Sequence, residues 1–197
     1  MADIMTHYVL FSGHMIDKPG RAQPRFPASK APAAARAIRH RLQKLKDIVA
    51  SAPIQDIADA ASIQGIAAAA CGGDILFHEA CQHLNIRSEI YLGLPVEEFN
   101  KTSVAAAGED WEIRYRRLIK TLPVHILHPD YTADAPNTIW EEANQWMLDI
   151  SLSAGSENLT MIVLWDGDQG ETGGAWQMMK VAGAHHATIE HIDPSRL

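Results

Sequence analysis

Short runs of apolar, β-forming residues recur along the chain and alternate with longer amphipathic segments. The runs are four to eight residues long and lack a strict apolar–polar alternation, which favours strands that are buried on both faces of a parallel sheet. The pattern predicts six strands, at residues 8–11, 63–66 with the alanines that follow, 89–92, 124–127, 159–165 and 187–192.

The segments between these runs have apolar residues at helical spacing. They predict helices at residues 33–50, 74–84, 109–121, 138–153 and 172–182. Strands that alternate with helices form βαβ units with right-handed crossovers. We therefore predict an α/β fold: a three-layer Rossmann-like domain with a mostly parallel central sheet of about six strands flanked by helices. Residues 1–197 are expected to form this single domain, with one long Pro-rich loop at residues 13–32.

Composition narrows the function classes. The 197 residues can bury a continuous core, and 47% hydrophobic with 21% charged residues is typical of a globular protein. The net charge of −7 without a Lys/Arg stripe predicts no nucleic acid as a partner. A bound phosphate would need a local cluster of donors, since the overall field is unfavourable to it.

Motifs that would indicate other classes are absent from the sequence. Cys71 and Cys81 are expected to be small buried residues rather than a disulfide framework. No signal peptide and no apolar run of about 20 residues is found, so we expect a cytoplasmic protein with no membrane partner. The ten histidines form no H-E-x-x-H pattern, and we predict neither a metal site nor a cofactor. A G-x-S-x-G hydrolase motif is also lacking.

Three segments follow predicted strands where parallel sheets bind ligands, at the carboxyl ends. One begins at Ser12, one contains a Gly-Gly-Asp turn, and one is a late Gly-rich stretch. Glycines there would let backbone amides approach a phosphate at a helix N-terminus, or would simply make tight turns. The predicted ligand-binding residues are Ser12, Gly13, His14, Asp17, Arg21, Arg25, Gly72, Gly73, Asp74, Asp166, Gly167, Gly170, Thr172, Gly173 and Gly174.

Side chains in these segments suggest separate roles. Arg21 or Arg25 would clamp a phosphate, or would lie on a solvated loop surface. Asp17 would orient one of these arginines or accept a hydrogen bond from a ribose hydroxyl. Phe26 would cover a base or attach the loop to the core. Asp166 follows a strongly apolar strand, a position that faces the ligand crevice in such folds.

Two helical glutamates are the candidates for catalysis. Glu79 lies six residues after Gly73, and Glu141 lies next to Trp140 on another predicted helix. Each would supply a carboxylate to a ligand held by the Gly-rich loops, or would be only a solvated charge. Neither the P-loop pattern nor G-x-G-x-x-G accompanies them.

The strand, Gly-Gly-Asp turn and following helix resemble the SLOG superfamily of Rossmann-like domains, which includes LOG-type phosphoribohydrolases and DprA-like DNA-processing proteins. LOG enzymes carry P-G-G-x-G-T-x-x-E; here Gly72, Gly73 and Glu79 keep that spacing, while Cys71 replaces the proline and Ile75-Leu76 the inner Gly-Thr pair. The stretch S-G-H-M-I-D-x-P-G-R-x-x-P-R-F-P, from Ser12, resembles an uncharacterised bacterial module that accompanies signalling domains. The resemblance implies binding of a nucleotide or nucleotide-derived signal.

Three functions follow as hypotheses. The first is a signalling or sensor domain that binds a nucleotide-type small molecule, such as one similar to ADP-ribose or NAD. The alternative is a nucleotide N-glycosidase, of phosphoribohydrolase or deoxyribosyltransferase type, that uses Glu79 or Glu141. The third is a protein-interaction scaffold without a ligand, for which Trp111, Trp140 and Trp146 would form a docking face and a homo-oligomer would be possible.

Overall fold

The computed structural model describes residues 6–51, 62–131, 138–168 and 174–197. Within these ranges it contains six strands and six α-helices. The strands are β1 (Thr6–Gly13), β2 (Ser62–Ala67), β3 (Arg87–Leu92), β4 (Val124–Ile126), β5 (Leu159–Leu164) and β6 (Thr188–Ile192). The helices are α1 (Ala31–Ser51), α2 (Gly73–His83), α3 (Val96–Ser103), α4 (Glu109–Thr121), α5 (Thr138–Leu152) and α6 (Ala175–Ala184).

The strands form one sheet in the order β4–β3–β2–β1–β5–β6, and every pair of neighbours is parallel. The chain builds the sheet outward from β1 to β4 and then returns to add β5 on the other side of β1. β1 is therefore the strand at which the direction of winding reverses, the place where open α/β sheets bind their ligands. The predicted α/β, Rossmann-like architecture with a parallel sheet of six strands is confirmed.

Helices cover both faces of this sheet. Val9 and Phe11 of β1 belong to the larger apolar cluster with α1, α2 and α4, whereas Leu10 belongs to the cluster with α5 and α6. All six residues of β5 are buried. A strand with packing on both faces has no solvent side, which is why its sequence reads as a continuous apolar run.

Element bounds differ from the predicted ones by a few residues, and α3 was not predicted. The last predicted helix, at 172–182, is seen as α6 from Ala175 onward; residues 169–173 lie outside the described residues. α3 has eight residues, too few to show a clear helical period. Its Phe99 packs against Tyr115 and Trp140, with ring centroids 6.1 and 6.0 Å apart.

The long loop after β1 is attached to the protein at several points. The Asp17 amide donates to the Phe26 carbonyl at 3.0 Å, and the Phe26 amide donates to Asp17 Oδ2 at 2.8 Å. The Phe26 side chain is completely buried. Of its two predicted roles, the structure therefore shows the one in which it attaches the loop to the core.

No helix in the described part of the chain combines the length and the apolar character that a membrane span requires.

Candidate functional site

A cavity of about 1020 Å³ lies over the carboxyl ends of β1, β2, β3 and β5. Phe11, Ser12 and Gly13 line it at the end of β1, and the loop from His14 to Arg21 forms one wall. Residues that follow β2 and β3 also line the cavity. The opposite wall is formed by α5 and the start of α6. The position agrees with the winding reversal at β1.

Gly13 allows β1 and β5 to lie close together beneath this cavity. A Cβ atom at Gly13 would lie 2.9 Å from Leu164 Cβ and 3.0 Å from the Phe11 ring. The next amide, of His14, donates to the Leu164 carbonyl at 3.0 Å, so the pairing of the two strands continues to this point. Gly13 thus has a packing role at the bottom of the cavity.

The loop after β1 packs directly against the Gly72–Gly73 turn. Gly72 has a φ of +111°, and a Cβ there would lie 2.7 Å from the His14 carbonyl oxygen. The Gly73 amide donates to that same carbonyl at 3.1 Å, and the Ile16 amide donates to the Cys71 carbonyl at 3.0 Å. The Gly73 amide thus has a protein acceptor, and the lack of a side chain at Gly72 lets the backbone of the loop pack closely over the turn.

Arg25, Asp166 and His14 form a partly buried cluster at the edge of the cavity. Arg25 Nε donates to Asp166 Oδ2 at 2.7 Å and Arg25 Nη2 donates to Oδ1 at 3.0 Å. Hydrogen bonding to the Arg25 guanidinium holds the pKa of Asp166 well below its usual range. Nε and Nη2 of Arg25 are thus both bonded to Asp166, and the pair connects the loop to the end of β5.

His14 Nε2 lies 3.2 Å from the Asp166 amide and 3.0 Å from Asp166 Oδ1. The neutral ring accepts from the amide, whereas only the protonated ring would donate to the carboxylate. Burial lowers the pKa of His14 below its ordinary value. The amide is therefore its partner at neutral pH, and the ring is uncharged there.

Arg21 and Lys18 are the exposed cations at the rim. Arg21 Nε donates to the Gln23 carbonyl at 3.0 Å and lies 3.6 Å from Asp17 Oδ1. Asp17 orients this arginine weakly while it accepts the Phe26 amide. Lys18 lines the cavity and has no ion-pair partner among the described residues. Lys18 was not among the predicted site residues, because a single lysine in a loop belongs to no pattern.

The late Gly-rich stretch is only partly described. Gly167 has a φ of +92°, and a Cβ there would meet no atom within 4 Å. Gly170, Thr172 and Gly173 lie outside the described residues. Gly174 precedes α6 and lines the cavity, as does Asp74 at the other predicted turn. The turn at Asp74 and the start of α6 at Gly174 therefore border the same cavity.

Asp74, the second residue of α2, is 8% exposed and lines the cavity. Its Oδ2 accepts the Ala70 amide at 3.2 Å. Burial raises the pKa of this carboxyl to about 7. Burial likewise raises the pKa of the nearby Cys71 thiol to about 11.

Aromatic side chains form much of the cavity wall, and sequence reasoning did not assign them to it. Those that line the cavity are Phe11, Tyr91, Phe99, Trp140, Trp165 and Trp176. They come from six different strands, helices and loops, so no local motif reveals their convergence. Trp140, Trp165 and Trp176 are partly exposed, and their rings offer flat apolar surfaces of the kind on which a nucleobase stacks.

The two predicted catalytic glutamates do not line this cavity. Glu79 faces α4, where its Oε1 accepts from Arg114 Nε at 3.0 Å and from Arg117 Nη2 at 2.8 Å. Glu141 lines a separate cavity of about 30 Å³ between α5 and α6. That volume holds a water molecule or two and excludes a nucleotide.

Within the described residues, no three His, Cys, Asp or Glu side chains converge in a way that would hold a metal ion.

No family model matches the chain, and no curated protein matches it significantly. In structure it is similar to DNA processing protein A (DprA) from Streptococcus pneumoniae, with a TM-score of 0.53 and 11% sequence identity. The alignment covers 93% of this chain and 49% of that one, so the chain spans about half the length of this solved structure. At such low identity the likeness concerns the fold alone. The chain thus has an α/β Rossmann-like fold similar to part of the DprA structure.

Proposed function

We propose that this chain is a binding domain for a nucleotide or nucleotide-derived small molecule, of the ADP-ribose or NAD type, and that it acts as a sensor in signalling. The observation that carries the proposal is the cavity of about 1020 Å³ at the winding reversal of the sheet. Pockets for small molecules typically have about 300–1000 Å³. This cavity suits a ligand at the upper end of that range, such as a dinucleotide.

The chemistry of the walls supports the same class of ligand. Trp165 and Trp176 provide apolar ring surface on the side of β5 and α6. Lys18 and Arg21 supply positive charge at the rim, so an anionic ligand finds local donors although the whole chain is acidic. The start of α6 also borders the cavity: the Gln177 and Met178 amides donate to the Gly174 carbonyl, and the Ala175 and Trp176 amides have no acceptor among the described residues.

The N-glycosidase alternative has less support from the geometry. Glu79 is paired with two arginines and Glu141 lies in another cavity, so neither carboxylate is placed beside a ligand at this site. The scaffold alternative is weakened as well, because Trp111 is only 6% exposed and belongs to the core. We therefore place ligand binding first.

Calorimetric titration of the purified chain with ADP-ribose, NAD, AMP and cyclic nucleotides tests the proposal. We expect saturable binding of at least one of them, weakened about tenfold or more in Lys18→Ala and in Trp176→Ala. Lys101→Ala is the matched control, since Lys101 is 64% exposed on α3 and does not line the cavity. It should bind as the unchanged chain does.

Two further measurements distinguish nucleotide binding from the other functions considered. Release of free base from the bound nucleotide would favour a glycosidase, and binding of a short oligonucleotide would contradict the prediction that nucleic acid is no partner. Absence of binding with every nucleotide tested would refute the proposed function.

A further inference from the structure

Asp74 differs from the other acidic residues around the cavity. The Asp17 carboxylate accepts the Phe26 amide within its own loop, and Asp168 is exposed. Asp74 is only 8% exposed, yet it lines the cavity. Only Oδ2 has a partner, the Ala70 amide at 3.2 Å; Oδ1 has none among the described residues. One oxygen of a buried carboxyl group is thus left for a molecule in the cavity.

The surroundings of Asp74 supply no charge that would balance an ionised carboxylate. Cys71 beside it has a pKa raised by burial and is a neutral thiol. His78, one turn further along α2, is bonded to Ser88 Oγ and the Ala68 carbonyl, and burial lowers its pKa to about 4, so it is neutral too. From the loop on top of the turn, Lys18 and His14 face this region, but neither lies within ion-pair distance of Asp74.

Two effects act on this carboxyl in opposite directions. The N-terminal turn of α2 favours a negative charge, whereas removal from water disfavours it. Burial dominates, and it raises the pKa of Asp74 to about 7. A substantial fraction of the group is therefore protonated at neutral pH, and a protonated carboxyl can donate a hydrogen bond as well as accept one.

We propose that Asp74 is the residue by which the cavity selects its nucleobase: as a carboxylic acid, it donates a hydrogen bond from Oδ1 to a ring nitrogen or carbonyl of the base. This rests on the proposed function and names the part of the ligand that the site reads. Trp140, which lines the cavity, supplies apolar ring surface for a flat base, and the buried Phe99 packs against its ring. An ionised carboxylate would instead suit the two donors of a ribose diol, but its charge has no partner here.

The test depends on whether the Asp74 carboxyl carries a proton. Asp74→Asn keeps a hydrogen-bond donor at this position but does not titrate, whereas Asp74→Ala removes the donor. ADP-ribose is the probe, because its pyrophosphate stays ionised between pH 6 and pH 8. For a pKa near 7, the protonated fraction of Asp74 falls about tenfold over this interval, and the apparent affinity falls with it.

We therefore expect the Kd of the unchanged chain for ADP-ribose to rise about tenfold from pH 6 to pH 8. Asp74→Asn should bind within about threefold of the pH 6 value at both pH values, and Asp74→Ala should bind about tenfold more weakly than the unchanged chain at pH 6. Melting temperatures confirm that each variant is folded. Should Asp74→Ala fail to fold, the pH profiles of the unchanged chain and of Asp74→Asn still decide the question.

An affinity that rises with pH, together with loss of binding in Asp74→Asn, would mean that the carboxylate accepts from a diol, and would overturn the inference while leaving the proposed function intact. Binding that is independent of pH in the unchanged chain would overturn it in the same way. If no nucleotide binds to any variant at either pH, the proposed function fails first and this inference with it.

Discussion

Arg25 and Asp166 lie 141 positions apart in the chain and form a two-pronged ion pair, with Nε–Oδ2 and Nη2–Oδ1 distances of 2.7 and 3.0 Å. The pair joins the loop after β1 to the end of β5. Both side chains are about four-fifths buried, at 21% and 16% exposed. The contact therefore holds one wall of the cavity in place.

Removal of one partner should destabilise the protein. Arg25→Ala leaves the Asp166 carboxylate poorly solvated and unpaired, and we expect a loss of about 2 kcal/mol in the free energy of unfolding. Chemical denaturation measures it. Arg116→Ala is the control: Arg116 pairs with Glu97 on an exposed surface, and its loss should leave the free energy of unfolding nearly unchanged. Equal effects in the two variants would contradict the importance of the buried pair.

Gly72 should tolerate no side chain. Its φ is +111°, and a Cβ would meet the His14 carbonyl oxygen at 2.7 Å and the Ile16 amide at 2.8 Å, both of them backbone atoms. We expect Gly72→Ala to cost more than about 2 kcal/mol and to displace the loop over the turn. Gly183→Ala is the matched control, since Gly183 is helical and its Cβ would enter open space; there alanine should stabilise slightly. A neutral Gly72→Ala would show that the loop does not pack as described.

The free energy of unfolding should depend on pH through two groups, His78 and Asp74, whose effects have opposite slopes. Burial lowers the pKa of His78 to about 4, below its ordinary 6.5, so the unfolded chain binds more protons between these values and stability falls as pH falls through this window. Burial raises the pKa of Asp74 from 3.8 to about 7, so its contribution is lost as pH rises through that interval. The two slopes oppose each other in the unchanged chain.

Single substitutions should separate these slopes. Between pH 4 and pH 6.5, Asp74→Asn should become more stable as pH rises, by roughly 3 kcal/mol from His78. His78→Gln should instead lose stability over the same range. Urea denaturation at several pH values measures both trends. The same slope in the two variants would contradict the assignment.

The two cysteines should be inert in the folded protein. Cys71 is 1% exposed and Cys81 is fully buried, and burial raises the pKa of both thiols. Thiolate is the reactive form, so a thiol reagent at pH 8 should label neither residue until the protein unfolds. Rapid labelling under native conditions would show that α2 opens readily.

The fold could be predicted from the sequence because the central strands are buried on both faces. Leu159–Leu164 reads as a continuous apolar run for that reason, and the helix at Glu109–Thr121 was predicted with its observed ends. The site was harder to predict. The position of the site follows from the strand order, but the roles of its residues depend on contacts between distant segments. Arg25 donates to Asp166, for example, and the Gly73 amide donates to the His14 carbonyl.

Glu79 illustrates the same limit. Its spacing from Gly73 agrees with a known motif, yet its direction is fixed by Arg114 and Arg117 on α4, which no local pattern connects to it. For Asp74 the sequence shows only an acidic residue at the start of a predicted helix. Its burial, which raises the pKa to about 7, becomes visible only in the structure.

The hydrogen bonds between Asp17 and Phe26 close the intervening segment into a ring at its base. Beyond this closure, residues 18–24 are exposed, and the core does not depend on them. Substitutions there would change the charge at the mouth of the cavity at little cost in folding. Evolution could in this way alter which anions the domain admits while the sheet beneath stays the same.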